Sequence, residues 1–292
     1  MEKHKSGFVA IIGKPNAGKS TLLNVFLGQK LVITTSRPQT TRHRILGILD
    51  EENYQVIFSD TPGVIKASYL LQRSMMKSVD RALEDADLIL LLLDVNEEFP
   101  ESEMLSSVKK TGIPVVLAIN KMDEANESKL AEREREIRQI IEVKETVYIS
   151  ALHRRNTENL LMTIISLLPE NPPWFEKGSL SDRNERFFVS EIIREKLFEL
   201  LDEELPYNCE VQVLAFEEEE GLAKISAEIH VGKKSQKGMI IGKGGSMIKE
   251  IGTRARKDIE ILLDRKVFLE LHVRVTEGWN EDAGRLKGFG YE

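Results

Sequence analysis

Gly13-Lys14-Pro15-Asn16-Ala17-Gly18-Lys19-Ser20 fits G-x-x-x-x-G-K-[ST], a loop that wraps phosphate groups. Its two outer glycines let the backbone curl until successive N–H groups point inward at an anion. Lys19 brings a point charge suited to the β- and γ-phosphates of a nucleotide, and Ser20 a hydroxyl suited to Mg²⁺. The loop runs on through Thr21 into an expected helix, whose N-terminus adds partial positive charge under the phosphates.

Three more runs carry chemistry. Asp60-Thr61-Pro62-Gly63 places a carboxylate where it can hold Mg²⁺ through a water, and the Gly63 N–H where it can reach a γ-phosphate. Asn120-Lys121-Met122-Asp123 offers Asp123 as acceptor for the N1–H and 2-amino group of guanine, which adenine lacks. Asn120 and Lys121 are expected to brace the base and the phosphate loop. Ser150-Ala151-Leu152 can give a backbone N–H to the guanine carbonyl. Four motifs in this order resemble a GTPase of the translation-factor-related branch over residues 6–168, and the base is read as guanine.

Between the first helix and the next strand lies Arg37-Pro38-Gln39-Thr40-Thr41-Arg42-His43-Arg44. In GTPases this connection is the first switch, whose threonine closes onto Mg²⁺ when the γ-phosphate is present. Thr41 is the expected ligand, with Thr40 as the alternative; Ser20, Thr41 and Asp60 form the expected metal set. Lys19, Thr41 and Gly63 are the candidate catalytic groups. Val64 stands where Ras-like enzymes carry a water-orienting Gln, and valine cannot hold a water. Slow basal GTP hydrolysis follows as the expectation. Some GTPases that resemble this one bind K⁺ at the position of Asn16; a loop residue capping its neighbours is the competing reading.

These motifs need strands that end where they begin. Continuous apolar runs at Phe8–Ile12, Val56–Phe58, Leu88–Leu93, Pro114–Ile119 and Thr146–Ile149 alternate with helical patterns. That alternation describes α/β architecture: a mostly parallel sheet with helices on both faces and ligands at the carboxyl ends of the strands. Pro169 to Phe175 breaks the pattern and reads as a stiff joint, with Trp174 and Phe175 expected to pack where two domains meet. The expected division is 1–170, a linker over 171–182, and a second domain over 183–292.

The second domain reads helix–strand–strand–helix–turn–helix–strand, an α+β order. Its turn, Gly242-Lys243-Gly244-Gly245, is the G-x-x-G signature of a type II KH domain, which clamps about four unpaired nucleotides. Lys243 adds charge, and Ile240, Ile241 and Ile248 are candidates to wall an apolar groove for bases. Lys234, Lys237 and Lys249 complete the candidate RNA contacts. From Val231 to Lys257 eight Lys/Arg face one acid, Glu250. That stripe can neutralise phosphates. No helix-turn-helix or zinc pattern for duplex DNA is present. The tail ending Gly288-Phe289-Gly290-Tyr291 either packs back on the domain or lies along RNA.

The 292 residues carry 41 Lys/Arg against 48 Asp/Glu, a net charge of −7 that hides this basic stripe. Cys209 is the one cysteine, so no internal disulfide forms and a reducing compartment fits. Met1 to Gly7 is polar and reads as no signal peptide. The longest purely apolar run, Leu88–Leu93, is far too short to span a membrane.

The single GTPase domain, the Gln-Thr-Thr-Arg-His switch and the C-terminal Ile241-Gly242-Lys243-Gly244-Gly245 turn together resemble the Era family over nearly the whole chain. That resemblance implies a cytoplasmic, bacterial-type GTPase that cycles between GTP and GDP with Mg²⁺ and assists maturation of the small (30S) ribosomal subunit. It implies binding of single-stranded RNA near the 3′ end of 16S rRNA, and a fraction held peripherally at the inner membrane. A monomer is expected. Two other readings use the same residues: an RNA-binding module indifferent to nucleotide state, and a signalling GTPase acting on protein partners.

Overall fold

The computed structural model describes residues 4–35, 37–97 and 102–291; Met1–Lys3 of the polar N-terminus and Ser36 of the switch run lie outside them. The chain divides into two compact units. The first comprises residues up to Val32, Thr41–Ala67 and Met75–Asp182; the second comprises Ile33–Thr40, Ser68–Ser74 and the chain from Arg183 on.

In the first unit the strands are β1 (Lys5–Ile12), β2 (Ile45–Asp50), β3 (Tyr54–Asp60), β4 (Leu88–Asp94), β5 (Val115–Asn120) and β6 (Glu145–Tyr148). They form one sheet in the order β2-β3-β1-β4-β5-β6, parallel throughout except for β2. Helices α1 (Lys19–Leu27), α3 (Ser102–Thr111), α4 (Glu127–Arg138), α5 (Thr157–Leu167) and, from Met75 on, α2 (Leu70–Glu84) accompany it. β4 is apolar at six successive positions because both of its faces are covered. Ile89, Leu91 and Leu93 pack with residues of α2, α3 and α4. Side-chain alternation turns Leu88, Leu90 and Leu92 to the opposite face. α1 lies against β3 there, Phe26 stacking on Phe58 at 4.9 Å.

Two elements of this unit escape the sequence pattern. β2 is an antiparallel edge strand interrupted by Gly47, where a Cβ would come within 2.8 Å of Leu23. Residues 171–182, expected as a linker, lie along that edge. The Ile48 N–H donates to the Leu180 carbonyl at 2.9 Å, and the Ser181 hydroxyl to the Leu46 carbonyl at 2.6 Å. The Gln55 amide oxygen accepts from the Trp174 and Phe175 N–H groups at 2.8 and 2.9 Å, and the Trp174 ring meets Phe8 edge-on at 5.6 Å.

In the second unit α6 (Glu185–Leu200) is capped by Asn184, whose side chain accepts from the Phe187 N–H. β7 (Cys209–Glu219), β8 (Leu222–Val231) and β9 (Lys266–Val275) form a sheet in that order, with β7–β8 antiparallel and β8–β9 parallel. α7 (Lys234–Ile241) and α8 (Ser246–Leu263) connect β8 to β9. Ala223, Ile225, Ala227 and Ile229 alternate along β8 and close the core with Ile251, Ala255 and Ile259 of α8. Cys209 is buried in that core. The tail carries α9 (Ala283–Gly288) and packs back on its own unit: the Tyr291 hydroxyl donates to Glu210 at 2.5 Å, and Phe289 sits between the His230 and Trp279 rings. Among the described residues no helix is long and apolar enough to cross a membrane.

Candidate functional site

The phosphate loop links β1 to α1. It has no slack: a Cβ on Gly13 would lie 2.3 Å from the Leu92 carbonyl oxygen, and one on Gly18 would lie 2.3 Å from the Asn120 amide nitrogen. Asn16 and Gly18 adopt positive φ (64° and 99°), which turns successive N–H groups inward. No side chain caps α1, so its first N–H groups stay available to an anion. Lys19 is buried, its ammonium donating to the Gly13 and Lys14 carbonyls at 3.0 and 2.9 Å. Burial lowers its pKa to about 8, although Asp60 and Glu97 pull the other way. Thr21 is partly buried one residue beyond Ser20 in the first turn of α1.

Ser20, Thr41 and Asp60 converge. Asp60 Oδ2 accepts from the Ser20 hydroxyl at 2.9 Å and from the Thr41 hydroxyl at 3.4 Å, and the two hydroxyl oxygens lie 3.0 Å apart. Asp60 Oδ1 is buried with no hydrogen-bond partner, and burial raises the pKa of this carboxyl to about 6. Two hydroxyls and a carboxylate with a spare oxygen are hard oxygen donors of the kind that Mg²⁺ takes. Thr40 points elsewhere: its hydroxyl donates to the Arg37 carbonyl at 2.9 Å and lies 3.0 Å from the Thr35 hydroxyl.

The Asp-Thr-Pro-Gly turn is fastened to the loop. Thr61 donates to the Ile11 carbonyl at 2.9 Å, the Val64 N–H to the Gly13 carbonyl at 3.1 Å, and Pro62 is buried beside them. A Cβ on Gly63 would sit 2.5 Å from the Pro15 nitrogen, so only glycine lets the turn lie this close. Val64 packs against the apolar core of the first unit, away from any role in holding water.

At the end of β5, Asn120 is almost wholly buried. Its amide donates to the Ala17 carbonyl at 2.8 Å and accepts from the Ala151 N–H at 2.9 Å. Lys121 takes a positive φ of 62° and pairs with Asp94 at 2.5 Å. The Met122 N–H donates to the Ile149 carbonyl at 3.0 Å, bringing the next strand end alongside. Asp123 is exposed, its carboxyl held below the usual range first by a Ser150 hydrogen bond and then by His153 and Arg155. Leu152 is exposed. Three residues here carry roles that the motifs do not announce. Asp94 pairs with Lys121, and His153 lies 3.5 Å from Asp123. Glu97 interacts with Lys14 and Lys19, and burial raises its pKa to about 7. Asp94 has a signal in the sequence, a charge at the carboxyl end of an apolar run; the other two sit in loops with no pattern.

In the second unit the G-x-x-G turn joins α7 to α8. Gly242, Gly244 and Gly245 have positive φ (73°, 61° and 81°). A Cβ on Gly242 would meet Met247 at 2.8 Å, whereas Gly244 and Gly245 face open space, where a phosphate can approach the backbone. Lys234, Lys243 and Lys249 are exposed and Lys237 half-buried around the turn. Ile241 and Ile248 are half-buried at the rim of the core. Ile240, expected as a groove wall, is fully buried instead, because it lies on the inward face of α7. Exposed Met239, on the outward face of that helix, is the apolar residue left at the surface.

A parallel sheet with a phosphate loop and three further motifs at its strand ends, followed by an α–β–β–α–α–β module with a G-x-x-G turn, defines a GTPase joined to a KH domain. Residues 8–121 match the family model described as 50S ribosome-binding GTPase, and residues 204–280 match the KH domain model. GTPase Era of Geotalea daltonii is 45% identical over 294 residues, covering 100% of this chain and 99% of that protein. GTPase Era of Clostridium kluyveri is 42% identical over 291 residues, covering 99% of each. A crystal structure of Era with MgGDPNP and nucleotides 1506–1542 of 16S ribosomal RNA superposes with a TM-score of 0.94 at 38% identity, over 99% of both chains. An Aquifex aeolicus Era variant bound to GDP·AlF4⁻ gives 0.93 at 37% identity, over 98% of this chain and 99% of that one. The chain belongs to the Era family of GTPases.

Proposed function

We propose that this chain is a GTP-timed switch that binds unpaired 16S rRNA near its 3′ end through the G-x-x-G face and assists assembly of the small ribosomal subunit. The observation that carries this reading is one chain holding both a nucleotide cradle closed by Ser20, Thr41 and Asp60 and an open glycine pair on a basic helix face. The similar Era structure holding MgGDPNP and 16S nucleotides supports the pairing of ligands.

Lys19 and the loop N–H groups neutralise charge that builds on the β–γ bridging oxygen as water attacks the γ-phosphorus and GDP leaves. Ser20, Thr41 and Asp60 would hold Mg²⁺, which supplies further neutralisation of the phosphates. The Gly63 N–H answers to the γ-phosphate, and Asp123 selects guanine. With Val64 in place of a water-orienting side chain, unassisted turnover is slow, of the order of 10⁻⁴ to 10⁻² s⁻¹ as in other unassisted GTPases. With GTP bound, Thr41 and Gly63 close on the γ-phosphate and favour the RNA-binding state; hydrolysis releases it.

In the same reading residues 1–170 carry the nucleotide, 171–182 join, and 183–292 carry the RNA. K⁺ at Asn16, a monomeric state and peripheral attachment to the inner membrane complete it; these rest on the family resemblance. Stimulation of turnover by K⁺ over Na⁺, sedimentation and vesicle flotation test them in turn. The central test is affinity for RNA with a GTP analogue against GDP: a higher affinity with the analogue is expected, and equal affinities contradict the switch.

A further inference from the structure

Charge has no ordinary place inside a helix that packs against an apolar sheet, yet α6 buries Glu191, Arg194, Glu195 and Lys196. Removing four charges from water is costly, and apolar residues of similar size generally serve stability as well. The partners of these side chains form two branches that both begin on residues 33–40. Arg194 grips Glu191 through Nε at 2.8 Å and Nη2 at 2.6 Å, and the same Nη2 donates to the Thr40 carbonyl. Glu195 accepts from the Thr34 N–H at 3.1 Å. Lys196 contacts Glu195 at 3.3 Å, Glu199 at 2.9 Å and Asp258 at 2.7 Å. Asp258 belongs to α8, the helix that starts at the G-x-x-G turn. Every one of these residues lies in the second unit, and that unit includes Ile33–Thr40.

The residue after Thr40 is Thr41, whose hydroxyl meets Ser20 and Asp60. We propose that α6 carries a buried ionic relay of two branches, Arg194 holding the Thr40 carbonyl and Glu195 with Lys196 linking the Thr34 N–H to Asp258 on α8, that couples the state of the nucleotide to RNA affinity at the G-x-x-G turn. Arg194 touches neither nucleotide nor RNA; it is a positioning residue. A backbone carbonyl held by a buried guanidinium has two distinct states, held or released, because a strained intermediate loses the bond without gaining water. When Thr41 changes its ligand, Thr40 is the next peptide to move, so the bond to Arg194 is the first on the second unit to respond. Burial opposes charge on Lys196, but Asp258 and Glu199 more than offset this and hold its proton above the usual lysine range, so Lys196 stays charged.

The relay rests on the proposed switch, and the experiment separates the two. Affinity of the full chain for a labelled RNA spanning nucleotides 1506–1542 of 16S rRNA is measured with Mg²⁺ and either a non-hydrolysable GTP analogue or GDP. The unaltered chain should favour the analogue by about tenfold, within the range of ordinary coupling energies. A ratio of one there sinks the switch and the relay together. Arg194→Met should bring the ratio to within about twofold of one, and the effect of RNA on the preference for analogue over GDP should shrink by the same factor, as linkage requires. Arg194→Lys, which can still donate to the Thr40 carbonyl, should recover part of it. Asp258→Asn, half-exposed at the far end, should also shrink the ratio and guards against misfolding of the Arg194 variants. A purely structural Arg194 would lower the melting temperature and leave the ratio intact. An intact ratio in folded Arg194→Met, or in Asp258→Asn, overturns the relay and leaves the switch standing.

Discussion

The Asn120 side chain donates to the Ala17 carbonyl at 2.8 Å, tying the end of β5 to the crown of the phosphate loop 103 residues earlier. Its other end receives the Ala151 N–H at 2.9 Å. One amide therefore holds both the phosphate loop and the loop expected to face the base. Asn120→Ala removes two buried hydrogen bonds, about 2–3 kcal/mol together, and should weaken guanine-nucleotide binding by roughly 30- to 150-fold. Fluorescent-GDP titration reads this directly, and a change under about threefold would show that the amide braces nothing.

Asp123 is exposed, with Ser150 bonded to it and His153 at 3.5 Å. Asp123→Asn exchanges an acceptor pair for one acceptor and one donor, which suits the 2-oxo group of xanthine better than the 2-amino group of guanine. Affinity should move from GTP to xanthosine triphosphate. Competition binding with the two nucleotides checks the exchange; an unaltered preference argues that another group reads the base.

Nucleotide binding should have a pH window. Asp60 titrates near 6, above the roughly 3.9 of an unfolded aspartate. The fold therefore prefers this carboxyl protonated, so its ionisation costs stability above pH 6 and the cost is relieved as pH falls toward 4. Mg²⁺ competes with that proton, so its affinity should drop by up to about tenfold per unit below pH 6. Lys19 titrates near 8, below its ordinary 10.5, so the cost of its buried charge is fully present below pH 8 and is lost as pH rises from there toward 10.5, and binding an anion must restore the proton above pH 8. Calorimetry in buffers of different ionisation enthalpy should find proton release on binding at pH 5.5 and uptake at pH 8.5. Proton-neutral binding at both would exclude these assignments.

Gly63 lies where a methyl group would come within 2.7 Å of three Pro15 atoms. Gly63→Ala must push the phosphate loop and the turn apart, moving the N–H expected at the γ-phosphate. Affinity for a GTP analogue should fall by at least about tenfold, and GDP affinity much less. Equal losses for both nucleotides would place the damage in the loop and not at the γ-phosphate.

A side chain on Gly244 or Gly245 would meet no atom within 4 Å of its Cβ, and aspartate tolerates left-handed backbone better than most residues. Gly244→Asp with Gly245→Asp should therefore leave the melting temperature within a few degrees while placing two negative charges where phosphates approach. RNA affinity should fall by at least about a hundredfold with GTPase turnover in the absence of RNA unchanged. Lys243→Ala should weaken RNA binding mildly and flatten its salt dependence by about one unit of slope. Retained RNA binding by the aspartate pair would move the RNA site elsewhere.

The nucleotide site is legible in the sequence because each motif is a contiguous run directly after an apolar strand, and a parallel sheet gathers such ends along one edge. Gly242–Gly245 is legible for a similar reason: three positive-φ positions favour glycine, and helical spacing flanks them. Ile240 falls on the wrong side of that reading because spacing gives the periodicity of a helix but not its rotation, and on α7 the inward turn falls at 240. β2 escapes because Gly47 serves contact with Leu23, which no local pattern records. The buried charges of α6 look like an ordinary wet helix face in sequence. Only partners more than 150 positions away, Thr34 and Thr40, explain two of them.

The ladder along β2 decides where the first unit can safely be cut. A fragment ending at residue 170 would leave the Leu46 and Ile48 amides without the Leu180, Ser181 and Asp182 groups that now answer them, presenting a raw edge to any passing strand. Carried on to 182, the same fragment seals itself. A nascent chain, too, leaves this edge unpaired until those last dozen residues have emerged, so the stretch before Arg183 covers a strand edge as well as leading to the next domain.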